Sequence, residues 1–290
     1  MKKYRAFTLI ELLVVIAIVG ILSGLIIVGM SGATEKARIA KSQVFSNSLR
    51  NSLLLNLFSE WKFDEGSGTT TADSWRTATG TLVGATHLPV WKTSADCIFN
   101  NCLQFDGTED YVNVGVVGVS GDYSIDAWIK VETAGAGATR SLISFNGNSF
   151  PRFLVILGAN QKPIIYLNNS NYRYGSTNAA DGKWHHWYFG ITGSGQADIS
   201  TAKIYVDGKE ETYGSTLAND SPTQPTGNVY IGSQAYSSID NVRIYDSIIS
   251  SSNIEAIYYC GLNRLLAKGE INAFDYQNRL AELSINSAQN

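Results

Sequence analysis

Charge is scarce in this chain. Only 16% of its 290 residues are Asp, Glu, Lys or Arg, and the formal net charge is −3. After residue 62 lysine and arginine never gather into a patch. Binding to a phosphate backbone needs such a patch, so no nucleic-acid partner is expected. Proline is rarer still, with five in the chain and none between residues 7 and 58. Nothing in that stretch interrupts a continuous helix. Cysteine occurs three times. Cys97 and Cys102 stand close in "CIFNNC"; no second cysteine pair exists, and the histidines are elsewhere. A disulfide is therefore favoured over a pair of metal-binding thiols, which implies an oxidising compartment. The loop is short, so the bond would add only about 2–3 kcal/mol. Cys260 is left over and reads as buried rather than reactive. No Lys-Ser/Thr opens a helix after Gly66-Ser67-Gly68, so that stretch is not a phosphate loop. His185 and His186 are consecutive and face opposite ways on a strand, which argues against a metal pair. His186 is read as packed inside with Trp184, and His185 as solvated.

The amino-terminal region has what the rest lacks. From Leu12 to Met30 the only polar side chain is Ser23. At about 1.5 Å per residue, such a helix covers roughly the 30 Å of a bilayer core. Lys2, Lys3 and Arg5 keep the flank on the cytoplasmic side. Gly20 and Gly24 form a G-x-x-x-G suited to close helix packing. Glu11 sits at the edge of this span. A carboxylate near hydrocarbon is costly and normally has a partner, which neither a signal peptide nor a simple anchor provides.

The segment "AFTLIELLVVIAIVGIL" resembles the class III signal of type IV pilins and pseudopilins. The resemblance implies cleavage by a prepilin peptidase between Ala6 and Phe7, then N-methylation of Phe7. The family's usual residue before the cut is Gly; here it is Ala6. Glu11 falls on the family's glutamate position and would pair with the Phe7 amine of a neighbouring subunit. Removing residues 1–6 takes away three cations and leaves side chains summing to −6. Residues 7–58 are expected to form one long stalk helix, with Ala37, Ala40, Val44, Leu49, Leu53 and Leu57 at helical spacing.

After residue 58 the pattern changes to short alternating runs. Asp-Gly at 106–107, 181–182 and 207–208 and Asn-Gly at 146–147 are among the turn signals that separate them. About twelve strands with no long helix between them predict an antiparallel sandwich, with one face of each strand buried. "WKFDEGSGTTTADSW", "CLQFDGTEDYVNV", "YSIDAWIKV", "GKWHHWYFGI", "AKIYVDGKE", "NVYIGS" and "IDNVRIYDSIISSSNIEAIY", in that order, resemble the LamG-like jelly rolls of the concanavalin A-like lectin/glucanase superfamily. The fold expected is mainly β within an α+β chain. It comprises a leader (1–6), a stalk helix (7–58) that is transmembrane in its first half, a jelly roll (59–259) and a C-terminal helical hairpin with a tail (260–290).

Glucanases of that fold carry carboxylates near E-x-D-x-E spacing on one strand. No strand here does; "DE" at 64–65 and "EE" at 210–211 are adjacent residues. The chain is thus expected not to be an enzyme. The resemblance implies a structural calcium site, with Asp64, Asp73 and Asp240 as candidate ligands. The stretch "NNSNYRYGSTN" reads as a loop in which Tyr172 and Tyr174 could stack on sugars. "LLAKGEINAFDYQNRLAEL" resembles the short SHOCT helical hairpin associated with oligomerisation.

Together these resemblances imply a subunit of a type IV pilus. It would lie in the inner membrane as a single-pass precursor and then in an extracellular filament. Its partners would be its own copies, the prepilin peptidase, the assembly machinery, and glycans or cell surfaces met by a lectin-like head. The alternatives are a pseudopilin or minor pilin of a type II secretion or DNA-uptake system, or a membrane-tethered carbohydrate-binding protein.

Overall fold

The computed structural model describes residues 9–20, 55–119, 121–132, 140–145, 153–157, 161–168, 171–192, 199–214 and 227–287. The cleavage position Ala6–Phe7, the membrane span beyond Gly20 and most of the expected stalk lie outside these residues. The first unit holds a helix, α1 (residues 9–20), whose large apolar side chains are exposed, from Leu9 at 82% to Val15 at 49%. Among the described residues no helix is long and apolar enough to cross a membrane. The expected stalk end at Phe58 falls inside the first strand, β1 (Leu57–Trp61).

The second unit is a sandwich of two eight-stranded antiparallel sheets. The first sheet runs β14 (Lys209–Glu210), β13 (Lys203–Val206), β12 (Trp184–Ile191), β7 (Tyr123–Val131), β16 (Tyr236–Tyr245), β5 (Cys102–Asp106), β4 (Val90–Lys92). β16 is the longest strand, and two partners share its outer edge. β5 pairs with Tyr236–Ile239, and β1 pairs with Val242–Tyr245. The second sheet runs β11 (Asn171–Tyr174), β10 (Pro163–Asn168), β9 (Phe153–Leu157), β8 (Arg140–Phe145), β15 (Asn228–Ile231), β6 (Tyr111–Val116), β3 (Gly80–Val83), β2 (Thr70–Thr71).

Local chemistry accounts for the turns and the register. Asp207 and Gly208 both have positive φ, 54° and 78°. That is the two-residue turn that joins twisted antiparallel strands with least strain, and it links β13 to β14. In β16 one extra residue, Asn241 at φ 50°, breaks the pairing with β7 between Asp240 and Arg243. The bulge resets the alternation. Ile239, Val242 and Ile244 therefore all enter the core, while Asp240, Arg243 and Tyr245 share the opposite face.

Ile125, Ile129, Trp187 and Phe189 of the first sheet meet Val112, Phe145, Ile165 and Ile231 of the second. The outer face of the first sheet is covered too, by a helical hairpin. Its helices are α2 (Ser251–Lys268) and α3 (Ala273–Ser287). The Ser250 hydroxyl accepts from the Asn253 amide at the start of α2. Gly269, at φ 76°, ends α2 in a left-handed cap. The Asn272 side chain accepts from the Asp275 amide and opens α3. Trp128 is the nail of this contact. Its ring stacks on Tyr258 at 5.8 Å and lies against the backbone at Gly261, where a Cβ would collide with it. Truncating such a ring costs about 3–5 kcal/mol. With both faces covered, every residue of β12 is buried, so the expectation of one buried face fails for this strand. The expected domain boundary at 259/260 falls inside α2.

Candidate functional site

The outward face of the second sheet carries a row of side chains on six strands. Strand register, passing through the backbone of β9, aligns Thr81, Asn113, Tyr230, Ser144, Tyr166 and Tyr172. Their neighbours in sequence, among them Val112, Ile231, Phe145 and Ile165, point into the core. Alternation therefore fixes the direction of the row. Tyrosines cluster at both ends. Tyr111 and Tyr230 rings lie 4.7 Å apart. Tyr166 stacks with Tyr172 at 6.2 Å and 23°, and Tyr172 with Tyr174 at 6.4 Å and 19°. The clusters are separated by β8 and β9, so three strand spacings, roughly 14 Å, lie between β15 and β10. Midway, Ser144 is fully buried, and its hydroxyl has no hydrogen-bond partner among the described residues. Rigid, half-exposed rings at two separated places suit an extended ligand whose apolar faces can stack on them.

This places Tyr172 and Tyr174 on an edge strand, not in the loop that their composition suggested. β10 supplies the pairing that Asn- and Ser-rich sequence does not advertise. Tyr111, Tyr166 and Tyr230 were missed as ligand candidates. Their signal was the alternation of tyrosine with aliphatic residues in "YVNV", "IIY" and "NVY".

Cys97 and Cys102 form a disulfide. The half-buried Cys260 lies outside it on α2. The disulfide-closed turn is gripped by two of the three calcium candidates. Asp240 Oδ2 accepts from the Ile98 and Phe99 amides at 3.0 and 2.9 Å. Asp64 accepts from the Asn101 amide at 3.3 Å and the Asn100 side chain at 3.0 Å. Burial, with Asp64 nearby, pushes Asp240 up to about 7. Asp73 is engaged elsewhere, accepting the Glu60 and Trp75 amides at 3.0 and 2.9 Å. Among the described residues no group of three or more His, Cys, Asp or Glu is placed to hold a metal ion.

His185 and His186 are both buried, which corrects the solvated reading of His185. His186 is wholly enclosed, 5.4 Å from the Trp128 ring. His185 is 8% exposed and lies between Asp207 on Nδ1, 2.7 Å, and Asp181 on Nε2, 3.0 Å. Register sets His185 opposite Ile129, on the core face with Trp187 and Phe189, and Asp181 of the preceding turn supplies the second carboxylate. Burial disfavours the imidazolium, but the two carboxylates outweigh it and hold the pKa at about 9.

The buried acids of the first sheet are all engaged. Arg243 Nη1 approaches both Asp126 oxygens at 3.4 Å, and its Nε donates to Glu60 at 3.1 Å. The Tyr245 hydroxyl donates to Asp126 at 2.7 Å. Burial opposes ionisation of Asp126, yet Arg243 and these donors keep its carboxyl below the usual range. Glu211 accepts the amides and hydroxyls of Ser176 and Thr177, while its neighbour Glu210 pairs with Lys203 at the surface.

With the sandwich and its faces in view, residues 106–255 match the model of the concanavalin A-like lectin/glucanases superfamily, Laminin_G_3, and the chain belongs to that superfamily. Residues 1–27 carry the prokaryotic N-terminal methylation motif, the signal of type IV pilins. No curated protein matches the sequence significantly. Among solved structures, domain 4 of AbnA is similar at 18% identity and a TM-score of 0.56. It comes from a GH43 extracellular arabinanase of Geobacillus stearothermophilus, in complex with arabinotriose, and the match covers 70% of this chain and 98% of that one. A Trypanosoma rangeli sialidase matches at 15% identity and TM-score 0.52, over 70% of this chain and 32% of the sialidase. The binding domain of Paraclostridial Mosquitocidal Protein 1 matches at 13% and 0.51, over 73% and 53%. At these identities the likeness is one of fold.

Proposed function

We propose that this protein is a non-enzymatic, pilin-like subunit of an extracellular type IV filament with a carbohydrate-binding head. The methylation motif on residues 1–27, ahead of a lectin-like sandwich, carries the reading. Prepilin peptidase would cut before Phe7, and the apolar segment would hold the subunit in the inner membrane until assembly. α1 supports this, because it is apolar along its length except at Glu11, and its exposed apolar side chains need lipid or other helices to cover them. Mass spectrometry of filaments sheared from cells tests the proposal. The expected result is a dominant subunit whose first peptide starts at N-methylated Phe7. A protein found only in the membrane fraction, with residues 1–6 retained, would refute it.

The tyrosine row is the surface this reading assigns to extended glycans, and hence to adhesion. Domain 4 of the arabinanase, solved with arabinotriose, supports sugars as the ligand class. The engaged state of the buried carboxylates supports binding without hydrolysis. Tyr166→Ala and Tyr230→Ala should each weaken glycan capture on an array by about tenfold, in line with the loss of one stacking face. Unchanged capture by both variants would move the ligand off this face.

A further inference from the structure

The calcium expectation and the structure disagree at one turn. Asp64 and Asp240 converge on the disulfide-closed segment Cys97–Cys102, but Asp73 does not join them. The oxygens that could complete a cation site are backbone carbonyls, and another group already holds them. Lys268, at the end of α2, sends its ammonium into the turn. Nζ donates to the carbonyls of Ser94 at 2.7 Å, Cys97 at 2.6 Å and Phe99 at 2.6 Å. An ammonium has three N–H donors, and all three are used.

The peptide groups of the turn are sorted by sign. The amides of Ile98 and Phe99 point to Asp240, and the carbonyls on either side point to Lys268. Asp240 is fully buried, and its second oxygen, Oδ1, has no hydrogen-bond partner among the described residues. Lys268 and Asp240 also interact electrostatically. The three carbonyls are hard oxygen donors of the kind that suits Ca²⁺, which binds oxygens at about 2.3–2.6 Å, and Asp240, beyond ion-pair distance of the ammonium, adds negative charge nearby. An ammonium and a calcium ion cannot use the same three carbonyls at once.

We propose that the Lys268 ammonium is the resident cation of this turn, supplied by the C-terminal helix in place of a divalent metal. The head then needs no calcium to hold the turn, and removing the ammonium uncovers a latent divalent-cation site made by the carbonyls of Ser94, Cys97 and Phe99, with the charge of Asp240 beside them. The inference does not depend on filament assembly.

Thermal melting of the full-length protein in detergent tests it, with calcium chloride or with chelator. Wild type should melt at the same temperature in both. Lys268→Met keeps the chain length without the charge and should melt about 5 °C lower in chelator. Calcium chloride should restore most of that loss and bind this variant calorimetrically with one-to-one stoichiometry. The double variant Lys268→Met, Asp240→Asn should lose the rescue, which separates the turn from adventitious binding elsewhere. If Lys268→Met is recovered only when calcium is present throughout, the proposal also stands. A wild type that melts lower in chelator would overturn it. So would a Lys268→Met variant that melts like wild type in chelator, or one that calcium does not rescue.

Discussion

Glu11→Leu subunits are expected to stay in the membrane and be cleaved before Phe7, but to enter filaments about a hundredfold less than wild type. Cleavage would create a positively charged amine on Phe7, at the end of an apolar segment. Packed among other helices, that amine would lose its water. An uncompensated buried charge costs about 3–5 kcal/mol, and a hundredfold change corresponds to about 2.7 kcal/mol. The carboxylate of Glu11 in a neighbouring subunit would compensate it and set the stagger between subunits. Glu11→Asp keeps the charge on a shorter arm and should assemble at an intermediate level. Quantifying subunit in sheared filaments against subunit in membranes reads the effect. Equal incorporation of Glu11→Leu and wild type would remove the pairing idea, whatever the filament proved to be.

The second large effect concerns His185. Its folded pKa of about 9 lies above the unfolded value near 6.5. A raised pKa means that the folded state binds the proton more tightly. The stabilisation is therefore complete below pH 6.5 and disappears as pH rises to 9. A shift of this size is worth about 3 kcal/mol. Asp181 works in the opposite sense. Burial would raise its pKa, but His185 and Lys183 hold it far below the usual carboxylate range. Its contribution is present above pH 4 and lost in stronger acid. Asp110, pushed up to about 6 by burial, and Asp240, up to about 7, also make the fold less stable as pH rises. The His185 share must therefore be read as a difference. Urea denaturation of wild type and His185→Gln should differ most at pH 6 and converge by about pH 9. A constant difference across that range would mean that the imidazole is neutral and only packs.

Much of the architecture was legible because local and global signals agree. The Asp-Gly pairs at 106–107, 181–182 and 207–208 all place glycine at positive φ. Cys97 and Cys102 are close enough in sequence that chain stiffness leaves few other partners, and they are bonded. The misses share another cause. His185 shares its strand face with Trp187 and Phe189, which line the sandwich core, while the face of Trp184 and His186 is the one the helical hairpin covers, so the side read as solvated is the inner one. Tyr172 and Tyr174 have loop-like neighbours and become a strand only because β10 offers an unpaired edge. Lys268 stands 169 to 174 residues from the carbonyls it holds, a distance no sequence window spans. Asp73 looked like a ligand because it is acidic and near glycines, and it is used to fasten two backbone segments.

The divided edge of β16 has a mechanical meaning. Chain arriving from the amino-terminal unit enters the sandwich as β1, which lies along the carboxyl half of the longest strand. Trp61, at the far end of β1, is sunk completely into the core, and its indole N–H holds the Ala78 carbonyl. A pull at Leu57 directed along β1 would load its ladder hydrogen bonds together in shear and would not open them one after another. β5 sits on the other half of the same edge and is spared that load. A tether drawn taut would strain one short strand and its anchoring indole first, and leave the tyrosine-bearing sheet on the opposite side of the sandwich undistorted.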